Sequence, residues 1–276
     1  MDVTNHHNLG IVVLIATCNR ASQLIDRALA SVRNQTHLPA EVVIVNDGKE
    51  FDARTTRCIT SSVANIPITI TQNSGANGAA GAWNSGLASI QERYGDCYVA
   101  ILDDDDDWDS NHLAGCSITA EKSQADAVVS GLRFWMDEEL IERSLLSKLD
   151  IGDFLVGNPG WQGSNTFVKL SKLTEAGGFH EGMQSANDRY LAIKLLSLPN
   201  FRVAFTGQWT ANWRCSTDSP SLSSRGSRSK REGLSLFYSI FGSMMVDRQR
   251  DAFFERAQQL FGLDYCDLVS TAEVDS

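Results

Sequence analysis

Long apolar runs are missing from this 276-residue chain. The longest, Ile11 to Ala16, is strand-sized and far short of the ~20 residues needed to cross a bilayer. The first residues, Met1-Asp2-Val3-Thr4-Asn5-His6-His7, lack the basic start and apolar stretch of a secretion signal. No CxxC pair occurs among the six scattered cysteines, several of which lie in or beside apolar runs, where a thiol behaves as a small hydrophobe. A reduced, cytoplasmic setting is therefore expected, with the inner membrane surface as its margin. Basic charge is scarce: 24 Lys and Arg face 34 Asp and Glu, a net charge of −10. Nucleic acid is excluded as a partner, because that affinity comes largely from cations neutralising phosphates. The five histidines show no metal-ligand spacing.

A hydrophobic content of 42% against 21% charged residues is a globular mixture with a sizeable core. Short apolar runs alternate with helical patterns in the first half. Strands are predicted at Ile11–Ala16, Glu41–Val45, Ile66–Ile70 and Cys97–Leu102. One helix is predicted from a Ser22 cap through Val32 and another ends near Glu92. This β-α-β order predicts an α/β fold, a mostly parallel sheet with helices on both faces, with ligands beyond the carboxyl ends of the strands. Further on, a strand at Ala127–Val129, a loop-rich stretch from Ile151 to Gly163, a helix at Ala186–Leu198 and a short strand at Phe201–Phe205 are expected. The Ser- and Arg-rich stretch from Cys215 to Arg231, including Ser221, Ser223, Arg225, Arg228 and Lys230, reads as a mobile loop, either a solvated linker or a lid. From Glu232 to Leu263 the spacing is helical. That apolar stripe is expected to dock on the domain, and it could also serve a homodimer or peripheral membrane association.

The strand ending at Leu102 runs directly into Asp103-Asp104-Asp105-Asp106-Asp107-Trp108. Adjacent carboxylates at ~4 Å repel by about 1 kcal/mol per pair in water and about 4 near a protein surface. A run at the carboxyl edge of a buried strand therefore points to a divalent cation, and oxygen-only ligands suit magnesium or manganese. A calcium loop of EF-hand type fails, because Trp108 stands where Gly is needed and no Glu closes the loop.

Four stretches together resemble family 2 glycosyltransferases of the GT-A fold. They are Ile15-Ala16-Thr17-Cys18-Asn19-Arg20 with Ala30–Thr36, Val43-Ile44-Val45-Asn46-Asp47-Gly48, Leu102–Trp108 as a DxD segment, and Gly177-Gly178-Phe179 followed by Asn187-Asp188. The resemblance spans about residues 10 to 220. It implies a GT-A domain over 1–228, with a nucleotide-binding half over about 9–125 and an acceptor half over about 126–228, and a C-terminal helical extension over 229–276.

That resemblance also implies roles. Ala16, Thr17, Asn19 and Arg20 would cradle the nucleotide, and Asp47 would accept the imino N–H of uracil, which cytosine lacks. Gly75 and Trp83 would lie beside the donor. Asp103 and Asp104 would neighbour ribose and metal-bound water, and Asp105 with Asp103 would hold the metal against the diphosphate. Asp188 would be the general base that takes the proton of an acceptor hydroxyl. Trp161, Gln162, Gly163 and Asn187 would bind the acceptor. The implied reaction is inverting transfer from a nucleotide sugar, a UDP-sugar first, to a hydroxyl on a glycan, glycolipid or other glycoconjugate. A non-catalytic nucleotide- or glycan-binding relative, and a transferase acting on a peptide or thiol, are the alternatives. The chain departs from the family pattern at Asn46, Trp83, Asn187 and Tyr190, and Trp213-Arg214-Cys215-Ser216 stands where a metal-binding His often lies. The glycines of Gly75–Gly81 do not follow the GxGxxG dinucleotide spacing, which argues against hydride transfer.

Overall fold

β-Branched and apolar residues build the strands β1 (Ile11–Thr17), β2 (Glu41–Asn46), β3 (Ile68–Gln72) and β4 (Tyr98–Asp103). A computed structural model describes residues 10–63, 65–141, 143–217 and 225–269. β1 pairs in parallel with both β2 and β4, and β2 with β3, so β1 is sealed on either side and its residues are almost wholly buried. The remaining strands are β5 (Asp107–Trp108), β6 (Ala127–Met136), β7 (Glu139–Ile141), β8 (Thr166–Lys169) and β9 (Val203–Cys215). The sheet order is β3-β2-β1-β4-β8-β6-β9-β5, with β7 paired to β6. β8 runs antiparallel to β4 and β6, so β1 to β4 form a parallel part and the sheet as a whole is mixed.

Strand alternation sends successive side chains to opposite faces. Val12, Leu14, Val43, Val45 and Ile101 face a cluster with Leu87 and Ile90 of the Ala79–Arg93 helix, Leu191 of the Asn187–Leu196 helix, and Leu234, Phe237 and Phe253 of the C-terminal helices. Val13, Ile15, Val42, Ile44 and Leu102 face Leu24, Leu29, Ile59, Leu113 and Cys116 on the other side. Helices thus cover both faces, and the C-terminal helices Arg228–Phe241 and Asp247–Phe261 share the first cluster. Among the described residues, no helix is long and apolar enough to cross a membrane.

Several expectations need correction. Ser22 does not cap the first helix, which starts at Ala21 without a side-chain cap and is π-helical over Leu24–Leu29. The stretch after Asp150 opens with the Ile151–Val156 helix, because the Asp150 carboxylate accepts the Gly152 N–H at 2.7 Å. The short strand at Phe201–Phe205 is the start of the long β9. Its later residues, Thr210 and Asn212, are polar yet buried, held by His112, Asp107 and Trp135, a pattern that apolar runs do not reveal. The stretch from Cys215 to Arg231 is not one loop: Cys215 closes β9, and Arg228 opens a helix capped by Ser227. Ser221 and Ser223 lie outside the described residues.

Candidate active site

The parallel register puts Ala16 opposite both Val45 and Asp103, and Thr17 opposite Asn46. The chain therefore leaves β1, β2 and β4 at one edge, where the three motifs meet. Asn19 takes a left-handed φ of 57°, and a Cβ on Gly48 would come within 2.6 Å of its Oδ1, so the β1 and β2 turns interlock only with glycine there. Asn46 accepts the Gly48 N–H at 3.0 Å and donates to the Lys49 carbonyl at 2.8 Å. An aspartate at this position could not make that donation. The Asp47 carboxylate accepts Asn73 Nδ2 at 2.5 Å and the Gly78 N–H at 2.8 Å. The glycine-containing loop that follows is held from a distance: Glu181 accepts the Ala76 N–H at 2.9 Å, and Gly75 packs against the same carboxylate.

The five aspartates have different neighbours. Asp104 is buried and accepts Thr17 Oγ1 at 2.6 Å and Arg20 Nε at 3.1 Å. Its other oxygen faces Arg20 Nη2 at 2.6 Å, an ion pair without hydrogen-bond alignment. Arg20 also pairs with Asp105. Asp106 accepts Ser164 Oγ at 2.5 Å and the Arg214 N–H at 2.9 Å, while Asp107 accepts Arg214 Nε at 2.6 Å and Asn212 Nδ2 at 2.8 Å. The Asp103 backbone N–H donates to Ser164 Oγ at 3.1 Å, but no described residue donates to its carboxylate. Loss of solvent, then the charges of Asp106, Asp105, Asp188 and Asp104, push the Asp103 pKa well above the usual carboxylate range. Burial likewise raises Asp104 to about 6 and Asp106 to about 8.

A divalent cation fits this arrangement. The donors are hard oxygens, and the one carboxylate of the five without a hydrogen bond, Asp103, is also strongly disfavoured as an anion. Among the described residues no three His, Cys, Asp or Glu side chains form a preformed cage. That suits an ion held by one or two carboxylates plus substrate phosphates.

Across the edge, the Asn187–Leu196 helix starts after Ala186 in a left-handed conformation, with Asp188 in its first turn. Asp188 lines a small cavity with Trp161, Gly163, Phe179 and Leu191. Burial raises its pKa to about 6, and the charge of Lys230 opposes that rise. Lys230 comes from the Arg228–Phe241 helix. Its ammonium is buried, donates to Ser185 Oγ at 2.9 Å and lies 4.4 Å from the Phe261 ring centroid. Burial and then Arg189 lower the Lys230 pKa to about 8.

A profile described as Glycosyl transferase family 2 matches residues 12–193, about two thirds of the chain. The chain belongs to glycosyl transferase family 2. No curated protein sequence matches this glycosyltransferase. Its fold is similar to S. aureus TarS 1-349 in complex with UDP-GlcNAc, with a TM-score of 0.63 and 15% identity over 97% of this chain and 76% of that one. TarS 1-349 in complex with UDP gives 0.62 and 16% over the same shares. A longer S. aureus TarS structure gives 0.60 and 14%, covering 94% of this chain and 45% of that one.

In this family 2 glycosyltransferase, Ala16, Thr17, Asn19, Arg20, Asp47 and Asp103 through Asp105 gather at the sheet edge, with Gly75 in the loop tied to Asp47 through Asn73. Gly163 reaches the metal candidates directly, since a Cβ there would sit 3.3 Å from the Asp103 carboxylate. Gln162 caps the turn Gly163–Asn165 and is only half-buried. Three residues are turned inward. Trp83 packs on Phe179 with centroids 4.6 Å apart, and its buried indole N–H has no partner. Trp161 is buried and donates to Thr166 Oγ1 at 2.9 Å, so only part of its ring borders the cavity. Asn187 is buried and donates to the Met183 carbonyl.

Sequence reading missed Ser164, Glu181, Arg214 and Lys230 as site residues. Arg214 stands where a histidine ligand was sought and instead clamps Asp106 and Asp107 from β9. Lys230 was read within the Ser- and Arg-rich stretch rather than beside Asp188, and its basic surroundings in sequence, Arg228-Ser229-Lys230-Arg231, hide its burial.

Proposed function

We propose that this glycosyltransferase moves a sugar from a UDP-sugar to an acceptor hydroxyl of a glycan or glycoconjugate with inversion at the anomeric carbon. The observation that carries the reading is Asp188: a half-buried carboxylate with a pKa of about 6, sharing a cavity with Trp161 and Gly163 and lying within the electrostatic reach of Asp103. A base poised just below neutral pH is ionised at working pH yet basic enough to accept a proton. As the acceptor oxygen attacks the anomeric carbon, its proton passes to an Asp188 oxygen. The bond from that carbon to the diphosphate oxygen breaks on the opposite face. Asp103 and Asp105 would hold a divalent cation, which supplies Lewis-acid neutralisation of the leaving diphosphate. Asp104 holds Thr17 and Arg20 in place, and the Asp47 carboxylate, fixed by Asn73 and Gly78, keeps lone pairs for an imino N–H of the base. The UDP complexes of the similarly folded TarS support the donor choice.

A panel of nucleotide sugars tests this by thermal shift with and without manganese. A UDP-sugar at 100 times its dissociation constant should stabilise the protein by about 2.7 kcal/mol. The shift should require manganese and vanish in Asp105→Ala. A metal-independent shift, or one that survives in that variant, overturns the metal assignment, and a response only to other nucleotides overturns UDP.

Lys230 gives a second expectation. Its positive charge lowers the Asp188 pKa, so Lys230→Met should move the acidic limb of kcat/KM to higher pH, while Lys230→Arg, keeping the charge, should stay nearer the wild-type profile. A packing role alone would change the height of the profile and leave its limb in place.

A further inference from the structure

A second groove lies apart from the cavity at Asp188. It encloses about 340 Å³ between β6, the segments 143–146 and 158–160, β9 and the Asp247–Phe261 helix, and presents Ser130, Asn158, Leu132 and Trp209 beside Arg143 and Arg256. The two arginines stand out in a chain of net charge −10. Neither guanidinium pairs with an acid among the described residues; ten ion pairs are formed elsewhere, and none includes them.

Both residues are exposed, and each packs against a neighbour. Arg143 lies 4.8 Å from the Phe134 ring centroid and 5.3 Å from that of Trp213. Arg256 lies so close to the backbone at Gly157 that a Cβ there would come within 2.5 Å of its Nε. Like charges surround them. Arg256 acts repulsively on Arg143, on Lys230 and on Arg189, which is buried and donates to the Phe154 and Leu155 carbonyls at 2.8 Å. Of these cations Lys230 has Asp188 as a counter-charge, whereas Arg143 and Arg256 form no ion pair among the described residues, and a bound anion would supply one. Guanidinium forks suit phosphate and carboxylate, and Trp209 suits the apolar face of a sugar, while the Asn158 amide is spent on the Gly160 and Trp161 backbone and shapes the wall.

The groove lies close to the transfer site along the chain. Asn158, Pro159 and Gly160 line it, and three residues further on Gly163 borders the Asp188 cavity, a chain reach of at most about 11 Å. Asn165 ties the two regions together, donating to the Ser130 carbonyl at 2.8 Å and the Gly160 carbonyl at 3.0 Å.

We infer that this groove binds an acidic part of the acceptor, a saccharide carrying a phosphate or a carboxylate, held through Arg143 and Arg256 one sugar or so away from the hydroxyl that reacts. The inference rests on Asp188 marking the acceptor hydroxyl, and it names the acceptor class for that site.

The test titrates metal-free protein with glucose 6-phosphate, glucuronate and glucose, following the Nε–Hε signals of Arg143 and Arg256 by NMR. Acidic probes should shift both signals, and glucose should shift neither. Arg143→Gln or Arg256→Gln should weaken binding at least about tenfold, since hydrogen bonds to charged groups are worth roughly 1.5–3 kcal/mol. Added salt should weaken it further. A response to glucose 6-phosphate alone identifies a phosphorylated saccharide, and a response that includes glucuronate an acidic sugar more broadly. Unmoved arginine signals with both acidic probes, or unchanged affinity in both Gln variants with intact melting curves, overturns the groove. Asp188→Asn separates the two readings: it should bind the probes as wild type does. Probe binding alongside full Asp188→Asn turnover would sink the base assignment and the groove's link to it, leaving only an anion site. Absent binding alongside lost turnover would sink the groove alone.

Discussion

Asp188→Asn is expected to lower kcat by roughly 10²- to 10⁴-fold, the usual contribution of a positioned proton acceptor. The stabilisation by UDP-sugar and manganese should stay near that of wild type. The amide keeps the shape of the carboxylate but cannot take the hydroxyl proton. Folding should not suffer, because the raised Asp188 pKa means that the site already disfavours the charged form. Turnover within about tenfold of wild type would show that another group removes the proton. Single-turnover rates measured beside donor melting curves make the comparison.

The second large effect is an inverted pH dependence of stability. Unfolded aspartates titrate near 3.9. In the folded chain Asp104 and Asp188 titrate at about 6, Asp106 at about 8, and Asp103 well above its ordinary value. Between those limits these four groups bind more protons in the native state, so their contribution is greatest near pH 4 and is lost as pH rises towards 8, while the buried His112, lowered to about 3, opposes part of that loss up to about pH 6.5. Carboxylates with lowered values, such as Asp126 and Asp137, act only below about pH 4 and do not offset this trend. Manganese should restore the melting temperature at pH 8. Asp103→Asn should raise the melting temperature of the metal-free protein at that pH while reducing metal-dependent transfer by roughly 10²- to 10³-fold, as loss of one electrostatic partner does at other active sites. A metal-free wild type that melts higher at pH 8 than at pH 5 would contradict the burial of these charges.

What the sequence revealed follows from how far apart the interacting residues lie in it. β1, β2 and β4 are continuous apolar runs between turn residues, and the edge they form could be read from Thr17, Asp47 and Asp103 each ending a run. β9 was cut short because Thr210 and Asn212 are buried by pairing with side chains about a hundred positions earlier. Its parallel partner β6 likewise extends well past Val129, through residues whose burial depends on that pairing. Lys230 and Glu181 acquire meaning only when the Ala79–Arg93, Asn187–Leu196 and Arg228–Phe241 helices meet on one face of the sheet. Trp83 and Asn187 show a different limit: their places along the chain resemble ligand positions, and only the fold reveals that they pack against Phe179 and the Met183 carbonyl.

The tract from Asp103 to Asp107 looks at first like surplus negative charge, yet three of its members are pegs. Asp104 fastens to β1, Asp106 to the turn at Ser164, and Asp107 to β9. On the proposed reading, Asp103 and Asp105 would meet a foreign ion, Asp105 already sharing the Arg20 guanidinium with Asp104. The ion would relieve the crowding by itself, and a diphosphate would add further oxygens to its seat.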